Sequence, residues 1–118
     1  MHKKTFAPAN WKIEPAWQTR PIAKLFNSFE AAADPDGEII SVGRQSHVHK
    51  VVTDHGTFFV KQYFQARGIG AWLGYSRCEV EIRNIQRFEA LGIRCGNLVA
   101  HGIERKNGKT QRGILIIE

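Results

Sequence analysis

A chain of 118 residues with 42% hydrophobic and 24% charged side chains is a single globular domain able to bury one core without disulfides. No apolar run is long enough to span a bilayer, and the basic start Met1–Pro8 has no apolar stretch behind it, which argues against a secretory signal. The net charge of +6 is uneven: residues 1–37 hold five Lys/Arg against four Asp/Glu, and residues 38–118 hold twelve against seven. That excess suits an anionic partner (nucleotide, nucleic acid or a phosphate-bearing lipid surface) without choosing among them, and a solvated helix face accounts for much of it, Arg83 and Arg87 included. Cys78 and Cys95 form no C-x-x-C pair and are expected to be reduced thiols of a cytoplasmic protein. His47 and His49 alternate on a strand without partners at ligand spacing, which argues against zinc.

Residues 1–15, with Pro8 and Pro15, have no clear period and are expected to be an extended arm anchored by Trp11 and Trp17. From Pro21, apolar residues at Ile22, Leu25, Phe26, Phe29 and Ala33 predict one helix with a single buried stripe. Asp34-Pro35-Asp36-Gly37 stops it. Glu38 to Val42, Val48 to Val52 and Gly56 to Tyr63 are strands joined by turns at Gly43–Ser46 and Asp54–Gly56, an antiparallel meander. Residues 64–76 are irregular, with Gly68, Gly70 and Gly74 interrupting Ile69, Trp72 and Leu73, and are expected to be either a mobile loop or a short, poorly formed helix; Arg67 and Trp72 are candidate partner contacts, though packing on the sheet is the commoner role of residues such as Trp72 and Leu73. Ser76 to Leu91 is a helix with a capping box at Ser76 and Glu79, ended by Gly92. Its buried stripe is expected to hold Glu81, Ile85 and Phe88, with Ile82 and Leu91 beside it. Leu98 to Ile103 and Gly113 to Ile117 are strands joined by a turn on Asn107-Gly108, and the second is apolar throughout, as a strand buried on both faces must be. The expected fold is α+β: a five-stranded antiparallel sheet with one packed helix, residues 38–118, preceded by an arm and helix over residues 1–37.

The chemistry centres on Lys61. A carboxylate on a core-facing helix stripe is costly unless a cation meets it, and Lys61, on the strand face shared with Phe59 and Tyr63, is the candidate partner of Glu81. A lysine so held is placed to reach nucleotide phosphates. Each residue alone is better explained as a solvated charge; the pair, in this order, favours the phosphate role.

These segments resemble the N-terminal lobe of the lipopolysaccharide kinases, the Kdo kinase and core heptose kinase group, which share the protein-kinase-like fold. The resemblance covers about Gly37 to Glu118. It is carried by Gly43-Arg44-Gln45-Ser46, by Phe59-Val60-Lys61-Gln62-Tyr63, by Glu81–Phe88 with Leu91-Gly92-Ile93, and by Gly113–Glu118. It implies that Lys61 contacts the α/β-phosphates of ATP and that Glu81 pairs with it. It implies further that backbone amides of Gly43, Arg44, Gln45 and Ser46 cover the phosphates and that backbone groups near Glu118 bind adenine. In that family, ATP with Mg²⁺ phosphorylates a sugar of the lipid A inner core at the inner face of the cytoplasmic membrane.

The chain departs from the pattern in three places. The covering loop has one glycine, Phe59 stands where a small residue usually lies under adenine, and Arg94–Asn97 lacks a proline usual after the helix. The carboxylates that orient the acceptor and bind Mg²⁺ belong to the family's C-terminal lobe, and Asp34, Asp36 and Asp54 are better explained as turn residues. The 118 residues are therefore expected to bind nucleotide without transferring phosphate. Two other readings fit the composition. One is a basic nucleic-acid-binding module stacking bases on Phe58, Phe59, Tyr63 and Phe64, weakened because Phe58 and Phe59 point to opposite faces. The other is a non-catalytic scaffold that keeps the kinase-lobe shape and binds a protein through the open hinge side.

Overall fold

The computed structural model describes residues 10–43, 46–64, 77–92, 96–106 and 109–118. Outside them lie residues 1–9 of the expected arm, Arg44 and Gln45, residues 65–76 with Arg67, Trp72 and the Ser76 cap, residues 93–95 with Cys95, and the Asn107-Gly108 turn.

Six strands form one antiparallel sheet: β1 (Asn10–Ile13), β2 (Glu38–Val42), β3 (Ser46–Thr53), β4 (Gly56–Phe64), β5 (Leu98–Lys106) and β6 (Lys109–Ile117). Their spatial order is β1-β5-β6-β4-β3-β2. The expected five-stranded sheet is thus corrected to six. The extra strand comes from the segment read as an arm: Asn10 to Ile13 pair with Ile103 to Ala100 along the outer edge of β5. The single N-terminal helix is also corrected. It is two short helices, α1 (Ile22–Leu25) and α2 (Phe29–Ala33), because Phe26 leaves helical geometry and the Ser28 hydroxyl caps α2 by accepting from the Ala31 N–H at 3.1 Å. The third helix, α3 (Arg77–Ala90), crosses from β4 to β5.

The β3–β4 hairpin closes tightly because Gly56 adopts φ 133°, open to glycine, while the Thr53 hydroxyl donates to the Gly56 carbonyl at 3.0 Å. Strand β6 lies between β5 and β4, and its Ile114, Leu115 and Ile116 are all buried. Ile114 and Ile116 join Trp17, Ile22, Phe26 and Phe29 in a core beneath α1 and α2. Leu115 joins Cys78, Ile82 and Ile85 in a second core beneath α3. The sheet is therefore the middle of three layers.

Two polar contacts fasten the N-terminal layer. The Trp11 indole N–H donates to the Phe26 carbonyl at 2.9 Å, and the Gln62 amide donates to the Ala33 carbonyl at 2.7 Å and that of Ala32 at 3.3 Å, capping the end of α2. On the other face α3 approaches β6 so closely that a Cβ at Gly113 would stand 2.6 Å from the Cys78 Cβ. Gly113→Ala must push α3 away from the sheet, and overpacking of this kind costs about 1–3 kcal/mol. The expected outcome is a lower urea midpoint with an unchanged slope; an unchanged midpoint would show that the helix gives way freely.

Candidate functional site

Cross-strand register sets the position of Lys61. It lies opposite Val48 on β3 and Leu115 on β6, so its side chain leaves the sheet on the α3 face. Leu115 is buried beneath the helix, whereas Lys61 emerges beside it. The Lys61 Nζ donates to both Glu81 carboxylate oxygens, each at 3.2 Å, and lies 5.2 Å from the centre of the Tyr63 ring. The two side chains remain 32% and 36% exposed, so water screens the pair and its contribution to stability is about 1 kcal/mol or less. What the contact provides is position: an ammonium held on the open side of the helix, with Phe59 on the same sheet face.

Glu81 reaches Lys61 from the flank of α3, not from its buried stripe. That stripe runs Cys78, Ile82, Ile85, while Phe88 and Leu91, expected to be buried with it, are 42% and 73% exposed. The reason is that α3 is buried against the sheet only as far as Ile85; every residue from Gln86 to Ala90 is exposed.

The remaining predicted site residues are less open to a ligand. The Gly43 N–H donates to the Ser46 carbonyl at 2.7 Å, which commits that amide within the turn; Ser46 is half-buried opposite Tyr63, and Arg44 and Gln45 lie outside the described residues. Glu118 is exposed, but its N–H donates to the Asn97 carbonyl at 3.0 Å and its carboxylate accepts from the Asn97 amide at 3.0 Å. The strand aromatics form no stacking row: Phe58 and Tyr63 are buried, Phe59 is half-buried and Phe64 is exposed on the opposite face from Lys61. Asp34 ends α2 and Asp54 sits in the β3–β4 turn. Among the described residues no three His, Cys, Asp or Glu side chains gather as a metal set, and no helix is long and apolar enough to cross a membrane.

A half-buried lysine ammonium oriented by a carboxylate fits a phosphate group; among the described residues no set of oxygen ligands gathers beside it for Mg²⁺.

Three polar pairings were not anticipated. Gln62 was legible in principle, since it alternates with Phe58 and Val60 on a buried face where a polar side chain needs a partner. Arg112 forks onto Glu104 at 2.9 and 3.1 Å, which raises the guanidinium pKa through those hydrogen bonds. His101 and Glu14 meet on neighbouring segments, with Nε2 and Oε2 3.6 Å apart, both atoms buried and neither in a hydrogen bond with a described residue. Nothing in the local sequence marks that pair, because the two residues meet only through β1.

Comparison with family models, with curated proteins and with solved structures finds no match to this chain.

Burial pushes the His101 pKa down, with Glu14 opposing. It also pushes His49 down, and the neighbouring His47 adds to the effect. A folded-state pKa below the unfolded one means that the unfolded chain takes the proton first on acidification. Histidine-linked stability is therefore complete above the ordinary value of about 6.5 and is lost as pH falls below it. The urea midpoint should decline as pH falls below about 6.5, and His101→Gln should flatten part of that decline; a slope identical to that of the parent would remove His101 as its source. Burial pushes the Cys78 thiol up to about 12. Iodoacetamide at pH 8 should leave the Cys78 peptide unmodified in the folded chain and label it in urea, read by peptide mass spectrometry.

Proposed function

We propose that residues 38–118 are the nucleotide-binding lobe of a kinase that phosphorylates a sugar of the lipopolysaccharide inner core, with Lys61 holding the phosphates of ATP. The observation that carries this reading is the two-pronged contact of the Lys61 ammonium with the Glu81 carboxylate on the open flank of α3. It fixes a cation where an anionic group can approach from solvent, at a cost in burial low enough that the charge stays available. The sugar and lipid parts of the reading rest on the sequence resemblance around Phe59–Tyr63 and Glu81–Gly92. They carry with them a place at the inner face of the cytoplasmic membrane.

In this reading Lys61 neutralises charge on the α/β-phosphates, and Glu81 keeps the ammonium from swinging into solvent. Mg²⁺ accompanying ATP would supply further positive charge against the phosphates. Its protein ligands, and the carboxylate that orients the acceptor hydroxyl, belong to the part of the family fold that follows the segment matching Glu118. For the Gly43 amide to contact phosphate it would have to leave the Ser46 carbonyl.

Titration of the 118-residue chain with ADP and ATP, followed calorimetrically, tests the reading. Removing a charge-assisted contact to phosphate in Lys61→Ala should weaken binding by about 10- to 100-fold. Glu81→Gln should weaken it by less, because the ammonium remains but loses its anchor. Arg87→Ala, an exposed charge on the same helix, should leave binding within about twofold. Equal losses in Lys61→Ala and Arg87→Ala would reduce the attraction to net charge and overturn the assignment.

A further inference from the structure

On the flank of α3 away from Lys61, β1, β5 and α3 enclose a cleft of about 420 Å³. Clefts of roughly 300–1,000 Å³ are the size that holds small ligands. Its floor is apolar, with Ile82 and Ile103 buried at its base. Its rim is polar: Lys12 from β1, Arg83 and Gln86 from α3, and His101 from β5. Glu79 also lines the wall, but its carboxylate is joined to Arg105. The two rim cations differ. Lys12 is 60% exposed and forms a long ion pair with Glu14, its Nζ 3.8 Å from Oε2, whereas Arg83 is exposed with no ion pair to a described residue.

The cleft is separate from the Lys61 site. Glu79, Ile82, Arg83 and Gln86 recur at helical spacing and form one stripe, and Glu81 lies about 200° around the helix from Glu79 and from Arg83. An anion in this cleft therefore touches neither Lys61 nor Glu81.

We propose that this cleft binds a small phosphomonoester of about sugar size. Two cations, Lys12 and Arg83, lining one cleft with an apolar floor match a group that carries a charge of about −1.5 to −2 at neutral pH better than a single carboxylate. The Arg83 guanidinium can take two phosphate oxygens side by side, with the Lys12 ammonium as a point charge on the third. The Gln86 amide offers both a donor and an acceptor to hydroxyl groups on the ligand body, and Ile82 and Ile103 cover its less polar face. The phosphate can belong to a free metabolite or to a lipid headgroup presented at a membrane; the recognising chemistry is the same.

Amide chemical-shift titration of the ¹⁵N-labelled 118-residue chain tests the site. The soluble probes are glucose 6-phosphate, inorganic phosphate and glucose. Vesicles of phosphatidylcholine with and without phosphatidic acid, read by co-sedimentation, form the lipid arm. The expected result is saturable shifts at Lys12, Ile82, Arg83, His101 and Ile103 with glucose 6-phosphate, weaker ones with inorganic phosphate and none with glucose. The double variant Lys12→Gln/Arg83→Gln should weaken binding at least about tenfold, with the spectrum elsewhere unchanged because both side chains are exposed. Lys61→Ala should leave it unchanged, which separates this site from the nucleotide reading. Binding confined to phosphatidic acid vesicles, and lost in the double variant, supports the site and assigns the phosphate to a lipid. Absence of binding in both arms, full retention in the double variant, or shifts centred on Lys61 would overturn the proposal.

Discussion

Burial of β6 on both faces is the constraint from which the rest of the architecture follows. A strand with Ile114, Leu115 and Ile116 in sequence cannot leave either side of the sheet in water, so each side must be covered by a separate layer. The short helices α1 and α2 cover one side and α3 the other. Glycine at position 113 lets α3 approach within van der Waals contact, and that closeness brings the Glu81 carboxylate within reach of a lysine one strand away. Lys61 sits opposite Leu115, where the covered part of the sheet gives way to the open part. The position of the cation is thus a by-product of how far the helix extends over the sheet.

The ion pairs along α3 show how the helix is located sideways. Glu81 is tied to Lys61 on one flank, and Glu79 to Arg105 on the other. Neither pair is deeply buried, so neither adds much stability. Together they oppose rotation of the helix about its axis, which the apolar stripe of Cys78, Ile82 and Ile85 would otherwise tolerate. Charges that contribute little to folding energy can still determine where a functional side chain points.

The meeting of Lys61 and Glu81 was legible from two periodicities, period two along β4 for the lysine and helical spacing for the glutamate, although that spacing put Glu81 on the buried stripe and the structure puts it on the flank. Strand order in the meander was legible from its turns. The outermost strand was not. Asn10–Ile13 is four residues long, is flanked by prolines and gains its partner from β5, far along the chain, so no local signal distinguishes it from an arm. The break between α1 and α2 was hidden because Phe26 and Phe29 are spaced as one helix would space them; the Ser28 cap decided the matter. Phe88 and Leu91 continue the apolar pattern of α3 beyond the part that lies on the sheet, and periodicity alone cannot tell where a sheet ends.

The pairing of β1 with β5 has a consequence for the order of assembly. The Asn10 side chain accepts from the Ile103 N–H at 2.7 Å across 93 residues of chain. Of the six strands β1 is the first to be synthesised, and its one partner, β5, follows only after β2, β3 and β4. Trp11, carried on β1, also contacts Phe26 and Phe29 beneath the sheet, so β1 joins the N-terminal layer to β5. Long-range closure of this kind slows folding and leaves apolar side chains exposed while it is pending. Until β5 arrives, the N-terminal segment has to remain soluble on its own, and the lysines and prolines around its aromatic residues suit a nascent chain that must wait.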